Sequence, residues 1–494
     1  MDFIFIKRLP LIISTSLFIV NVPVQAQDKG TGPNKVGAVA NSKDLVTGAS
    51  IGSEKEGGDF GALAGIRRKE SPKSIKLDFD VERVTLSNGM VFLLHSQKSI
   101  PLISFHTWFR VGAKDELPGE SGLAHMFEHM MFKGTPRYPN KDFDRILQAN
   151  GIINNAFTNQ DYTGYYEILP SSKLDLIMDM ESDRLQNLQI VDEEFQKERE
   201  VVKEERRMRY DNNPGGMGWE KLNSLIFQDS KYGWPVIGTM KEINEFDVDK
   251  LRRFYKKWYI PFNAVVVIVG DFDIATTKKL INRYYGDLKS APRPVRQALV
   301  FQGPAKRMED VVPFPVNSPE LMWAVRTLKS GMDEAYALDL LSTILGQGKS
   351  SHLFQDLVYQ KQVALSAESG HYTLQNSGIF FIQSVAKPGI TAKQLKAMLE
   401  AEIEKVLQTN IKEDELIKAK NMVLSEYVES LKTNDGKAKL LAMNEVLFGD
   451  YKEFFRDIDR YLKVTLDDIK RAKNYLNSNG RVLITVDTPA KEKK

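Results

Sequence analysis

His125, Glu128 and His129, in the stretch GLAHMFEHMMFKGT from 122 to 135, carry the strongest chemical signal in the chain. On a helix advancing about 100° per residue, the three side chains fall within an arc of roughly 100° and can point into one small volume. Zn²⁺ takes neutral imidazole nitrogen at about 2.0 Å, and a carboxylate within hydrogen-bond reach can serve as general base. The order His-x-x-Glu-His, the reverse of His-Glu-x-x-His, meets both requirements. A lone histidine on an apolar helix is ordinarily a hydrogen-bonded core residue, and Met126, Phe127, Met130, Met131 and Phe132 mark this helix as buried. The chain has only six histidines, however, and two of them stand one turn apart with a glutamate on the same face.

A hydrolytic zinc centre wants three protein ligands and an open fourth position. No third histidine lies nearby, and the chain has no cysteine, so the third ligand must be a carboxylate. The acidic segment VDEEFQKEREVVKEERRMRY offers Glu193, Glu194, Glu198, Glu200, Glu204 and Glu205. Glu198 and Glu205 are two turns apart and share a helix face, with Val201 and Val202 marking the adjoining buried side. One of the two can ligate while the other orients a histidine ligand from behind. Glu194, Glu200 and Glu204 read as solvated charges, with Lys203 and Arg206 available as partners.

The elements that must position these groups can be read in outline. A chain of 494 residues exceeds what one hydrophobic core holds and implies several domains. Hydrophobic content of 42% with 27% charged residues is that of a globular protein, and a net charge of +3 without basic, aromatic-interleaved runs gives no support for nucleic acid as partner. Residues 1–26 read as a signal peptide: Lys7 and Arg8, an apolar run from Leu9 to Val20, and Val24-Gln25-Ala26 as the cleavage site. That run is too short to span a bilayer, so the expectation is export without a stable membrane span, to the periplasm in a Gram-negative bacterium. Residues 27–75, rich in Gly, Ser and Lys, read as a flexible lead.

Asn88-Gly89 within 81–96 predicts a hairpin, PLISFHTWFRVG a third strand, and the runs flanking Asn159-Gln160-Asp161 two more. Helices are expected around 140–150, 171–188 and 191–210. FDVDKLRRFYKKWYIPFNAVVVIVGD and VTLDDIKRAKNYLNSNGRVLITVD share a helix, an Asn-containing turn and an apolar strand, and their interval of roughly 217 residues predicts two copies of one domain. The expected organisation is a zinc-bearing domain over 76–290, a Pro-bearing linker over 291–312, and a homologous domain over 313–494 whose counterpart of the metal helix has no histidine pair.

The segments SGLAHMFEHMMFKGT, NNAFTNQDYTGYY, EREVVKEERRMRYDNNP and YGWPVIGTMKEINEFDVDKLRRFYKKWYIPFNAVVVIVGDF, in this order, resemble the inverzincin peptidases, the pitrilysin, insulinase and mitochondrial processing peptidase family. The resemblance implies an α+β fold of two homologous α/β-sandwich domains, each a mixed or antiparallel sheet covered by helices, forming half of a clamshell. It implies one zinc ion per chain held by His125, His129 and Glu205, with Glu128 as catalytic base and Glu198 behind the ligands. It also implies that Asn155, Ala156 and Phe157 lie on an edge strand to which a peptide substrate adds. One departure stands out. Where active members resemble one another in carrying an Arg and then a Tyr in the second half, this chain has Val358 and Leu365, neither of which donates a hydrogen bond. In the heterodimeric branch of the family a zinc-bearing subunit pairs with a non-zinc homologue. The expectation is therefore a zinc metalloendopeptidase for unstructured peptides whose partner supplies the Arg and Tyr, with an inactive scaffold or binding subunit as the alternative.

Overall fold

Asn88-Gly89 turns the chain back on itself, Gly89 adopting φ of +85°, and the strands β1 (Glu82–Thr85) and β2 (Val91–Ser96) pair antiparallel about it. The computed structural model describes residues 79–489 except Asp229, Val300 and Gln302, so the expected signal peptide and lead lie outside the described residues. Strands β3 (Leu102–Phe109), β4 (Ile153–Thr158), β5 (Thr163–Pro170) and β6 (Ala264–Gly270) complete a first sheet of order β1-β2-β6-β3-β5-β4. Only β2 and β6 run parallel. β6, AVVVIVG, is buried on both faces, which accounts for its unbroken apolar run.

The helices of this half, among the described residues, are α1 (Leu123–Met130), α2 (Asn140–Ala149), α3 (Leu174–Asn187), α4 (Asp192–Arg206), α5 (Pro214–Ile226), α6 (Met240–Glu245), α7 (Val248–Trp258) and α8 (Ile274–Tyr285). Strands β7 (Met308–Pro313), β8 (Glu320–Thr327), β9 (Ala364–Thr373), β10 (Gly378–Ala386) and β11 (Val482–Asp487) form a second sheet, with helices α9 (Asp333–Gly346), α10 (Ala392–Gln408), α11 (Glu413–Leu431), α12 (Asn434–Phe448), α13 (Glu453–Lys463) and α14 (Leu466–Leu476). Its order β7-β11-β8-β10-β9, parallel only at β7 and β11, repeats that of β2-β6-β3-β5-β4 strand for strand. The two similar sequence segments correspond to α7 with β6 and α14 with β11. β7 begins at Met308, inside the stretch 291–312 that reads as a linker.

The two halves are interlocked by an exchange of helices. One face of the first sheet packs with α1, α3, α7 and α8; the other, presenting Val91, Leu93, Trp108, Val265, Val267 and Val269, is covered by Ala438, Leu441, Ala442 and Val446 of α12 from the second half. Reciprocally, Leu222 and Ile226 of α5 cover Met322, Ala324, Ile484 and Val486 of the second sheet. Each large apolar side chain so buried is worth about 1.5–3 kcal/mol, which makes the exchange a major part of each sheet's stability. Polar contacts fix α12 in place: His106 Nε2 lies 2.9 Å from Asp435 Oδ1, and Glu445 accepts from Arg83 at 2.9 Å.

Candidate metal centre

Leu123, Met126, Phe127 and Met130 form the buried stripe of α1, which packs against β4, α4 and α7. The helix starts at Gly122, whose φ of +94° favours glycine, and whose backbone lies so close to residues 237 and 238 that a Cβ there would sit 2.4 Å from the Ile237 carbonyl oxygen. Glycine cannot cap a helix with a side chain, and Glu116 does so instead: its carboxylate accepts from the Gly122 N–H at 3.1 Å and the Ala124 N–H at 2.8 Å. Burial pushes the Glu116 carboxyl well above its usual range against these two donors.

So held, α1 turns His125 and His129 toward α4. Glu205 Oε2 lies 3.2 Å from His129 Nε2 and 3.7 Å from His125 Nε2, and the three donor atoms all lie within 4.8 Å of one another. Donor atoms around a tetrahedral ion with bonds of 2.0–2.1 Å stand about 3.3 Å apart, close to the observed spacing. Besides this approach to the two rings, Glu205 Oε2 has no partner, and His125 Nδ1 and Glu128 Oε2 are buried with none. A cation shared by the carboxylate oxygen and two neutral imidazole nitrogens satisfies all three at once. The donor set of two imidazole nitrogens and one carboxylate oxygen fits zinc.

The electrostatics of the trio are unequal. Burial holds His125 below its usual pKa, outweighing Glu205 and Glu128. His129 is also buried, but the hydrogen bonds of Glu198 and Glu205 and the charge of Glu128 overcome that and push it up to about 10. Burial would raise Glu205, yet the two histidines and Arg209 bring it down to about 2.

A second ring of groups fixes these side chains. His129 Nδ1 stands 2.8 Å from Glu198 Oε1, and Lys133 pairs with Glu198 Oε2. With Nδ1–H donated to Glu198, the Nε2 lone pair faces the proposed ion position. Arg209 Nη2 takes Glu205 Oε1 at 2.8 Å, leaving Oε2 to face the histidines. Neither Lys133 nor Arg209 is singled out by the motif: Arg209 follows Glu205 by one helical turn, whereas Lys133 reaches a carboxylate on a different helix. Arg209 belongs to a π-helical turn, Arg207–Asp211, that continues α4.

The remaining acidic residues of α4 lie on the surface: Glu194 pairs with Lys197, Glu200 with Lys203 and Glu204 with Arg207. Arg206 pairs with Glu220 instead. Val201, expected on the buried side, is 50% exposed, because the inward face of α4 follows Phe195, Glu198 and Val202.

β4 is the edge strand beside α1. Ala156 packs into the core on the metal-helix side, whereas the Phe157 ring is buried on the opposite face at 4.9 Å from Trp108. Asn155 Oδ1 accepts from the Ala156 N–H at 2.8 Å, so an added strand must displace that side chain before pairing there. Val358 packs half-buried against the core of the second half, and Leu365 is 56% exposed on β9. Each of the other four histidines has a partner away from the centre: His95 with the Asp80 carbonyl, His106 with Asp435, His352 with Glu415 and His371 with Asp339.

Residues 91–240 match the family described as Insulinase (Peptidase family M16), and residues 245–423 match Peptidase M16 inactive domain. With its two like sheets and this ligand cluster, the chain belongs to the M16 peptidase family. It is 30% identical over 386 residues to the "Zinc protease PqqE" of Helicobacter pylori, covering 76% of this chain and 87% of that one. The crystal structure of a protease from Helicobacter pylori superposes with a TM-score of 0.79 at 28% identity, over 83% of this chain and 100% of that chain. The periplasmic protease PqqL from Escherichia coli shares the fold at 18% identity, with a TM-score of 0.69 over 83% of this chain and 48% of the longer one.

Proposed function

We propose that this chain is the zinc-bearing, catalytic subunit of a metalloendopeptidase that hydrolyses peptide bonds in unstructured peptides. The observation that carries the reading is the convergence of His125 Nε2, His129 Nε2 and Glu205 Oε2, with the unpartnered Glu128 Oε2 on the helix of the two histidines. His125, His129 and Glu205 would hold one zinc ion per chain, which would supply Lewis acidity toward a peptide carbonyl and water. Glu128 takes a proton from the attacking water at Oε2 and hands it to the leaving amine nitrogen. Glu198 keeps the His129 ring in orientation through Nδ1, and Arg209 keeps Glu205 turned inward. The substrate backbone pairs with β4 at Ala156 and Phe157 once the Asn155 side chain releases the Ala156 N–H, a mode that binds extended chains without demanding particular side chains.

Val358 and Leu365 cannot donate to a substrate carbonyl, which supports a homologous non-zinc partner bringing an Arg and a Tyr to the cleft. The length of PqqL, of which this chain covers 48%, is consistent with a second half of the same kind. The pattern of residues 1–26 and the likeness to the periplasmic protease PqqL support an exported, periplasmic protein; among the described residues no helix is long and apolar enough to cross a membrane. Val358 and Leu365 also favour a second reading, an inactive scaffold subunit of a peptidase-like complex.

Metal analysis and cleavage of quenched-fluorescent peptides, with and without a co-expressed homologue, separate these readings. Glu128→Gln should retain zinc while losing about 10²–10⁴-fold in kcat. A Glu128→Gln variant as active as wild type, or a chain that takes up no zinc, sinks the peptidase reading. Full activity of the isolated chain removes the need for a partner.

A further inference from the structure

A groove with a cavity volume of about 690 Å³ opens between the loop preceding α1, the extended connector and the ends of β8 and α12. No metal-centre residue lines it. Its cationic lining consists of Lys114, Lys231, Lys257, Arg296 and Lys329, opposed by one carboxylate, Asp115. That carboxylate is already engaged: Oδ1 pairs with Arg296 Nε at 3.0 Å, and Oδ2 with Lys114 Nζ at 3.2 Å and the Gly112 N–H at 3.1 Å. Lys231, Lys257 and Lys329 make no ion pair among the described residues; Lys231 Nζ donates to the Glu116 carbonyl, and Lys257 Nζ lies 4.6 Å from the centre of the Trp258 ring. Burial holds the Lys231 ammonium below its usual pKa; Asp115, Glu116 and Glu120 oppose this, and the charge of Lys257 adds to it. In a chain whose net charge is only +3, this is a local concentration of like charge that an anion would relieve.

The same walls are apolar as well as basic. Val295 is 89% exposed, and Leu117 and Phe448 are also exposed where they face the groove. Residues 295–299 of the connector lie in neither helix nor strand and make no backbone hydrogen bond among the described residues, so their N–H and C=O groups are open to pairing with an extended chain. Lysines without a carboxylate partner, exposed apolar side chains and an unpaired backbone together match one kind of occupant. We propose that this groove binds an extended acidic peptide segment bearing apolar side chains, at a site distinct from the metal centre. Nothing in the proposal depends on the chain being a peptidase.

The test uses the full-length Glu128→Gln chain, in which a bound peptide survives, and fluorescence anisotropy with a labelled dodecapeptide alternating Glu with Leu and Phe. Saturable binding that weakens with salt is expected, and the double variant Lys257→Glu/Lys329→Glu should weaken it by about tenfold, the loss of two exposed ion pairs. Both lysines are surface residues, and an unchanged melting temperature will show that the variant folds. Val295→Asp should weaken binding without removing a lysine. Equal affinity for the Lys-for-Glu peptide, or an affinity untouched by the lysine reversals, overturns the proposal. Displacement by tripolyphosphate together with equal binding of a peptide lacking Leu and Phe would show that the groove senses charge alone, and overturns it too.

Discussion

Zinc uptake should be coupled to the loss of one proton, and the proton should come from His129. In the zinc-free site His129 sits at about 10, while His125 lies below 6.5 and Glu205 at about 2. Near pH 6.5, then, Glu205 is ionised, His125 is largely neutral and His129 is an imidazolium between Glu198 and Glu205. Zinc must expel that proton, because only the neutral ring ligates. The zinc-free form binds the extra proton, so raising the pH favours the loaded form, by about tenfold in apparent affinity per pH unit until His129 titrates. At pH 7, three units below 10, the expulsion costs about 4 kcal/mol. In the zinc-free protein the same ion pairs contribute stability that is fully present below pH 6.5 and lost as pH rises through 10. Titration calorimetry in buffers of different ionisation heat counts the protons, and work at pH 6 to 6.5 stays below the value of about 7 that zinc confers on water. One proton per zinc is expected there. Glu198→Gln should lower the His129 pKa, so that the pH slope of zinc affinity flattens at a lower pH than in wild type. No proton released by wild type near pH 6.5, or a slope that flattens no earlier in Glu198→Gln, refutes the electrostatic reading of the centre.

Other perturbations test the scaffold. Arg184 is fully buried, its Nη2 2.5 Å from Glu181 Oε2 and 3.6 Å from Glu167 Oε1, so Arg184→Met should cost about 3–5 kcal/mol by leaving two carboxylates unpaired. Burial and Glu181 already raise the Glu167 carboxyl; a raised carboxyl loses stability as pH climbs above its unfolded value, so the drop in melting temperature should be larger at pH 8 than at pH 5, and an equal drop would contradict this. Gln362, the one non-glycine with positive φ among the described residues at +51°, should gain from a few tenths to about 1 kcal/mol on Gln362→Gly, read as a shifted denaturation midpoint with unchanged slope. A fragment ending at residue 290 lacks α12 and leaves Val91, Trp108 and Val267 uncovered, so it should aggregate unless co-expressed with the second half; a soluble fragment unfolding cooperatively would tell against the helix exchange.

What could be read from the residues follows from the range of each signal. Periodicity is local, so α1, α4, the Asn88-Gly89 hairpin and the strands on either side of Asn159-Gln160-Asp161 were legible in outline. Lys133 and Arg209 were not: the i,i+4 spacing of Glu205 and Arg209 is visible in sequence but its rotamer and target oxygen are not, and the Lys133–Glu198 pair joins two segments that no local pattern brings together. Val201 misled because the inward face of α4 runs through Phe195, Glu198 and Val202, and two adjacent valines do not by themselves say which of them lies on it. The exchange of α5 and α12 was hidden for a different reason: an apolar stripe records that a helix is covered, without recording by which sheet.

That hidden exchange bears on the chemistry. β4 touches both sides of its sheet, with Ala156 packed toward α1 and Phe157 packed against Trp108 beneath α12. Lys439 of α12 lies over the Phe157 ring, 5.6 Å from its centroid. The strand proposed to receive substrate is thus clamped between the metal helix and a helix supplied by the half that has no metal. A packed core transmits displacement because it has little free volume to absorb it. A substitution that shifts α12, distant in sequence from His125, therefore moves β4 relative to Glu128, and a small misplacement of a substrate carbonyl relative to its base costs rate steeply. The second half, on this argument, contributes to catalysis through the placement of β4, whether or not it contributes a group to the cleft.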